Sequence, residues 1–135
     1  GNPGQSSRVQ AVCDWFGPTD LAKLGSRRIR NWRTNPVTLL LGGQASEKLE
    51  LAKLANPVTH VSKDDPPFLI MHGDRDRLVP LAQSQLLHDA LTKAGVKSTF
   101  KIVKGGGHGF AGPEIDKTVR EFFDKHLKGK TPATK

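Results

Sequence analysis

A short, unbroken apolar run ending in histidine, Phe68-Leu69-Ile70-Met71-His72, restricts the fold of this chain more than any other part of its sequence. The turn-forming residues Asp64-Asp65-Pro66-Pro67 precede the run, and Gly73 follows it. Four consecutive apolar side chains leave no polar face, so both faces of a strand formed here must be covered by protein. The run is also far shorter than the roughly 20 apolar residues that cross a bilayer. It therefore predicts a buried strand in a parallel sheet that is covered by helices on both sides.

Two other segments favour strands, and helical signals lie between and after them. β-favouring residues dominate 9–16 and 99–103. The helix candidates are a short turn that Thr19 or Asp20 can cap, followed by 46–55, 81–94 and 114–127, and we interpret 25–44 as irregular. Strands that alternate with helices in this way predict an α/β fold, a three-layer sandwich of about three parallel strands flanked by helices.

The length of the chain and its charge balance indicate one globular unit. The 135 residues predict a single domain over 1–135, with 128–135 as a flexible polar tail. There are 21 Lys and Arg against 13 Asp and Glu, a net charge of +8, but the positive charges are spread along the chain and we expect no nucleic-acid partner.

One dense basic cluster consists of Arg27, Arg28, Arg30 and Arg33 around Trp32. We favour a solvated connection anchored by the tryptophan, and the alternatives are part of a cap over a substrate cleft or a surface for anionic groups.

Cysteine usage and the amino-terminal segment say little about compartment. Cys13 is the single cysteine and cannot form an internal disulfide, so we interpret it as a small core residue. No apolar stretch near Gly1 is typical of a signal peptide. We expect a soluble chain with no membrane partner, and the sequence leaves its localisation open.

Chemistry-bearing residues follow each predicted strand. They are Asp20 after the first strand, Gly73-Asp74-Arg75-Asp76 after the second, and Gly105-Gly106-Gly107-His108-Gly109-Phe110 after the third. Ligands and substrates of open parallel sheets bind beyond the carboxyl ends of the strands, where these loops meet. An acid and a histidine on adjacent loops form half of a charge-oriented nucleophile system.

The same residues carry a resemblance to a known family. The segments His72-Gly73-Asp74-Arg75-Asp76-Arg77-Leu78-Val79-Pro80 and Gly107-His108-Gly109-Phe110 resemble the carboxyl-terminal half of an α/β-hydrolase of the esterase and lipase branch. The segments Asp14-Trp15-Phe16-Gly17-Pro18-Thr19-Asp20 and Asn56-Pro57-Val58-Thr59-His60-Val61-Ser62 resemble acetyl-xylan and feruloyl-type esterases. By this resemblance the chain corresponds to strands six to eight of an eight-stranded enzyme.

The resemblance implies a serine-type carboxylic ester hydrolase with Asp76 as the acid and His108 as the general base. It leaves Asp74 as a loop-capping carboxylate. The order of acid before histidine is the one that such hydrolases use. A prolyl-oligopeptidase-like peptidase shares these loops and is the alternative enzyme, while a non-catalytic binding module of the same fold is the alternative outside catalysis.

The nucleophile of the family has no counterpart in this sequence. Such enzymes place it in a Gly-x-Ser-x-Gly turn upstream of these strands. The only glycines four apart here are Gly105 and Gly109, and Gly107 stands between them where serine is required. We therefore expect a fragment that is inactive alone, with a small ester substrate belonging to the complete enzyme.

The remaining expectations concern partners and cofactors. The outer edge of strand 9–16 would lie open, so we expect either a missing amino-terminal half or a homodimer through this edge. The five histidines show no paired metal-ligand spacing, and we expect no metal site. Gly107 to Gly112 matches a dinucleotide-binding pattern, but no second strand follows it, so we expect no cofactor.

Overall fold

The computed structural model describes residues 3–25 and 35–128, and its centre is a three-stranded parallel sheet in the order β1-β2-β3. The strands are β1 (Val12–Trp15), β2 (Phe68–Gly73) and β3 (Ser98–Val103). The helices are α1 (Leu21–Gly25), α2 (Pro36–Leu41), α3 (Leu49–Leu54), α4 (Leu81–Lys93) and α5 (Pro113–Leu127), with a 3-10 helix over Pro57–His60. The predicted fold class, about three parallel strands flanked by helices, is confirmed.

The central strand β2 is buried on both faces, as its continuous apolar run predicts. Leu69 and Met71 pack with Ile115 and Phe122 of α5 on one face. On the other face, Ile70 packs with apolar residues of α4, Leu87 and Leu91. A third apolar cluster, formed by Leu21, Val37, Leu41, Ala45 and Ala52, joins the short helices α1, α2 and α3. Helices α4 and α5 thus cover opposite faces of the sheet.

The register of the sheet brings the ends of all three strands to one edge. Trp15 at the end of β1 pairs with Met71, and Gly73 at the end of β2 pairs with Val103 at the end of β3. Because the strands are parallel, the loops that leave them emerge side by side. This edge carries the candidate site.

Gly95 ends helix α4. Gly95 has a φ of 82°, a left-handed conformation that costs glycine little. The amide of Val96 then donates to the carbonyl of Leu91 at 2.9 Å, which closes the end of α4. The chain turns here directly into β3.

Several elements differ from the sequence prediction; α3, for example, begins at Leu49 and not at residue 46. Strand β1 is shorter than 9–16, because its first bond to β2 is from the amide of Val12 to the carbonyl of Pro67, and Pro66 and Pro67 have no amide with which to extend the pairing. The stretch 25–44 is not irregular throughout, since it contains α2. Asn35 caps that helix by accepting from the amide of Val37, and Gly42 ends it with a φ of 67°.

Two sequence interpretations fall outside the described residues: the basic cluster around Trp32, and all of the predicted tail beyond Lys128. None of the described helices is both long and apolar enough to cross a membrane.

Candidate active site

The loops after β2 and β3 are joined backbone to backbone. The amide of Arg75 donates to the carbonyl of Gly106 at 2.8 Å, and the amide of Asp74 donates to the carbonyl of Val103 at 3.2 Å. A Cβ placed on Gly73 would lie against the carbonyl group of Gly106, so only glycine allows the two loops to approach this closely. The loop that carries Asp76 and the loop that carries His108 are therefore held together.

The structure brings together the two residues that the sequence selects. The Nδ1 atom of His108 lies 2.8 Å from Oδ2 of Asp76. The Asp76 side chain has no exposed surface, while that of His108 is 32% exposed. The other ring nitrogen of His108, Nε2, makes no hydrogen bond to any residue that the structure describes. The imidazole is thus held by one nitrogen and left with a second nitrogen available.

The carboxylate of Asp76 is bound by donors on both oxygens. The amides of Leu78 and Val79 donate to Oδ1 at 2.8 and 2.9 Å, and His108 approaches Oδ2. Burial alone would raise the pKa of Asp76, but the hydrogen bond from His108, together with the two amides, lowers it below its usual value. Asp76 is therefore a carboxylate at neutral pH, the form that stabilises an imidazolium.

A second histidine touches Asp76 from inside the protein. His72, at the end of β2, is fully buried, and its Nε2 lies 3.2 Å from Oδ2 of Asp76 and 2.9 Å from the carbonyl oxygen of Val79. Its Nδ1 lies 2.7 Å from the hydroxyl oxygen of Ser84 on α4. Both ring nitrogens of this buried histidine therefore have hydrogen-bond partners within the protein.

Aromatic rings lie on the side of His108 that faces β1. The Phe16 ring centroid lies 4.5 Å from that of His108, and the Phe110 ring packs edge-on against Phe16 at 5.3 Å. Trp15 completes the group at 5.2 Å from Phe110 and is 37% exposed. Phe16 reaches this place with a φ of 47°, the only positive φ among the described residues other than glycine. This aromatic wall borders the candidate base.

The other acids that follow the strands have structural contacts. Asp74 accepts the amide of Gly105 at 2.6 Å and so caps the histidine loop, as its position predicts. Asp20 accepts the amide of Lys23 at 3.0 Å at the start of α1. Neither makes a hydrogen bond to His108. No group of three or more potential metal ligands occurs in the part of the chain that the structure describes.

One carboxylate in the sheet is incompletely paired. Oδ2 of Asp14, on β1, is buried and has no hydrogen-bond partner. Burial raises the pKa of Asp14, and the nearby His72 and the amide of Gly17 only partly offset this. The charged form of Asp14 is therefore disfavoured by the fold.

Sequence reasoning did not find the roles of Phe16 and Ser84. A signal for Ser84 was present, because Ser84, Leu87 and Leu91 are spaced at i, i+3 and i+7 and so share the core-facing side of α4. A serine on an apolar face beneath a strand that ends in histidine indicates a buried polar pair. No comparable signal exists for Phe16, since its contact depends on an unusual backbone angle.

The chain is similar to known protein families and to solved esterase structures. A family model described as BD-FAE matches residues 2–91, and one described as a TAP-like protein matches 48–135. A solved structure titled as a bifunctional GH43-CE from Bacteroides eggerthii is 35% identical, with a TM-score of 0.82 over 93% of this chain and 18% of that one. A truncated carbohydrate esterase from gut microbiota is 38% identical, with a TM-score of 0.78 over 91% of this chain and 45% of that one.

The chain is also similar to a curated protein whose name states ester hydrolysis. The probable carboxylic ester hydrolase LipM of Mycobacterium tuberculosis is 34% identical over 91 residues, which are 63% of this chain and 20% of LipM. The chain spans only 5 to 20% of the length of eight curated relatives that it matches.

Proposed function

This chain belongs to the α/β-hydrolase family, and from that premise we propose that it is the part of a serine-type carboxylic ester hydrolase that supplies the acid, Asp76, and the general base, His108. The observation that carries the proposal is the 2.8 Å contact between Nδ1 of His108 and a fully buried carboxylate oxygen of Asp76. A base oriented in this way, with its other nitrogen available, is the arrangement that acyl transfer requires.

The proposed chemistry follows from the tautomer that Asp76 selects. A carboxylate can only accept a hydrogen bond, so the neutral His108 ring carries its hydrogen on Nδ1 and has a lone pair on Nε2. Nε2 takes the proton of a serine hydroxyl while the serine oxygen attacks the ester carbonyl. The same proton passes from Nε2 to the leaving alcohol as the ester bond breaks, and water reverses these steps to release the acid. Asp76 stays ionised throughout and stabilises the imidazolium.

The serine comes, in this proposal, from outside the described residues. No serine in the described part of the chain makes a hydrogen bond to His108. Ser84 is fully buried and bonded to His72, so it cannot reach a substrate. The sequence also has no Gly-x-Ser-x-Gly turn, so we expect no ester turnover from this chain by itself, because covalent catalysis needs the nucleophile.

The proposed substrates are small carboxylic esters. Support comes from relatives above 30% identity whose names state an esterase or ester hydrolase, among them the carbohydrate esterase and LipM.

A chimera with the carbohydrate esterase tests the proposal. This chain replaces the matching 45% of that enzyme, and hydrolysis of an acetyl ester and of a matched amide is measured. We expect ester hydrolysis that is abolished by His108→Ala and kept by His88→Ala, a histidine on α4 away from the site. An active chimera that keeps its rate in His108→Ala contradicts the proposal. Cleavage of the amide in preference to the ester would favour a peptidase.

The open edge of β1 is the proposed contact surface for the remainder of the enzyme. β1 pairs only with β2, which leaves its other edge without a strand among the described residues. An unpaired edge beside an exposed tryptophan favours strand addition. We expect the chain alone to dimerise through this edge, and we expect Trp15→Lys to weaken the dimer. Light scattering measures the molar mass of both proteins. A monomeric mass at all concentrations, the same in Trp15→Lys, would contradict this expectation.

A further inference from the structure

We propose that His72 is a positioning residue that holds the carboxylate of Asp76 in place for His108, with Ser84 fixing the ring of His72. This inference rests on the proposed function, because it concerns the residue named there as the acid. It starts from two contacts of one atom, Nε2 of His72, with the Val79 carbonyl oxygen at 2.9 Å and with Oδ2 of Asp76 at 3.2 Å.

The contact with Val79 identifies the tautomer of His72. A carbonyl oxygen can only accept, so Nε2 carries a hydrogen, which it donates to the Val79 oxygen, while Oδ2 of Asp76 lies 3.2 Å from the same nitrogen. Nδ1 then accepts the hydroxyl hydrogen of Ser84 at 2.7 Å. With hydrogen on Nε2, the ring satisfies its contacts with the Val79 carbonyl and the Ser84 hydroxyl.

The geometry of the turn explains why such support matters. Asp76 lies between two histidines: His108 on the exposed side and His72 on the buried side, both on Oδ2. The amides of Leu78 and Val79 hold Oδ1, and His72 also binds the carbonyl of Val79. His72 therefore ties the turn that binds the carboxylate to the end of β2 and packs directly against Oδ2, and a carboxylate fixed in this way keeps the His108 ring oriented.

The burial of Ser84 and His72 means that they position Asp76 and do not act on a substrate themselves. Ser84, His72 and Asp76 are linked in the order of a serine hydrolase triad, but the Ser84 and His72 side chains are fully buried. A substrate cannot reach a hydroxyl that has no exposed surface. The Ser84–His72 pair acts on Asp76 and not on a substrate.

Nuclear magnetic resonance of the ¹⁵N-labelled 135-residue chain tests the proposal without any assay of activity. Long-range ¹H–¹⁵N spectra report which nitrogen of each histidine carries hydrogen. We expect hydrogen on Nε2 of His72 and on Nδ1 of His108 in the unmodified chain. Hydrogen on Nδ1 of His72 alone would overturn the proposal whatever the variants show.

Two amide variants of His72 distinguish the effect of its hydrogen-bond donor at Nε2 from the effect of its packing in the core. His72→Gln places an amide near the position of Nε2, and His72→Asn places it near Nδ1, facing Ser84. We expect the Nδ1–H signal of His108 to persist in His72→Gln and to be lost through exchange in His72→Asn. Equal His108 signals in the two folded variants would overturn the proposal.

The matched control is another His–Ser pair, in which Nδ1 of His88 lies 2.9 Å from the hydroxyl oxygen of Ser98. His88→Asn should leave the His108 signal unchanged. Because these readouts do not depend on ester hydrolysis, an inactive chimera with the expected spectra would contradict the proposed function alone.

Discussion

The ring of Phe16 lies 4.5 Å from the imidazole of His108, centroid to centroid, although Phe16 must adopt a φ of 47° to place it there. A bulky side chain in the left-handed region is uncommon, and such conformations persist where the surroundings impose them. The amide of Phe16 still completes the pairing with β2, donating to the carbonyl of Met71 at 2.9 Å. The strained backbone thus carries an aromatic ring from the end of the sheet onto the candidate base.

Substitution at Phe16 should reverse the usual preference for alanine over glycine. Both Phe16→Ala and Phe16→Gly remove the ring, but only glycine adopts the positive φ without a Cβ penalty, which is about 1 kcal/mol. We expect Phe16→Gly to be the more stable variant by about that amount in urea unfolding. A more stable alanine variant would show that the backbone relaxes once the ring is gone.

Asp76→Asn should disable the chimera while leaving it folded. An amide nitrogen near Nδ1 favours the wrong tautomer of His108, and the analogous change in a serine protease costs about 10⁴-fold in turnover. We expect a loss of that order in the rate of ester hydrolysis. Asp74→Asn is the control, because its remaining oxygen can still accept the amide of Gly105, and it should lose little activity. Similar losses in both variants would remove the distinction between the two acids.

Gly73→Ala should push the histidine loop away from the acid. The new Cβ would lie 2.6 Å from the carbonyl oxygen of Gly107 and against the carbonyl group of Gly106, and backbone atoms cannot rotate away. We expect a loss of about 1–3 kcal/mol in unfolding free energy and loss of the His108 Nδ1–H signal. Gly107→Ala meets no atom within 4 Å and should change neither quantity.

The ionisation of Asp76 should stabilise the fold above about pH 4. Because its pKa is lower in the folded state, the charged carboxylate contributes stability above the unfolded pKa of about 3.9, and this contribution is lost as the pH falls through the folded value. The difference in unfolding free energy between the unmodified chain and Asp76→Asn should therefore shrink on acidification. A difference that is constant from pH 7 to pH 3 would rule out this linkage.

Asp14 should show the opposite sign. Because burial raises its pKa in the folded state, its contribution to stability falls as the pH rises from the unfolded pKa through the folded value. The stability of Asp14→Asn relative to the unmodified chain should then increase between pH 4 and pH 7. Urea unfolding at both pH values measures this, and a decrease would contradict the direction of the shift.

Much of this architecture is legible in the sequence because it rests on local patterns. The apolar run of β2 requires cover on both faces, and the periodicity of α4 and α5 supplies that cover. Parallel strands then force their following loops to one edge, so the proximity of Asp76 and His108 follows from topology. Their approach to 2.8 Å also requires the close packing of Gly73 against Gly106. The hydrophobic periodicity of the sequence does not predict that contact.

The features that sequence reasoning missed depend on long-range or compensating effects. The length of β1 is set by Pro66 and Pro67, more than 50 residues away in sequence, because they cannot donate to it. Helix α2 is only six residues long and is recognised from its ends, Asn35 and Gly42, more than from its interior. The position of Phe16 depends on a backbone angle that its residue type disfavours.

The joined turns after β2 and β3 have a consequence for how such a site can be inherited. The candidate acid Asp76, the candidate base His108, His72 and Ser84 all lie between residues 72 and 108, and their mutual contacts use no group from elsewhere in the described chain. A recombination event that keeps this stretch together with the elements that pack on it would carry both candidate residues into a new gene as one unit. The nucleophile and the substrate pocket can then diverge independently around it.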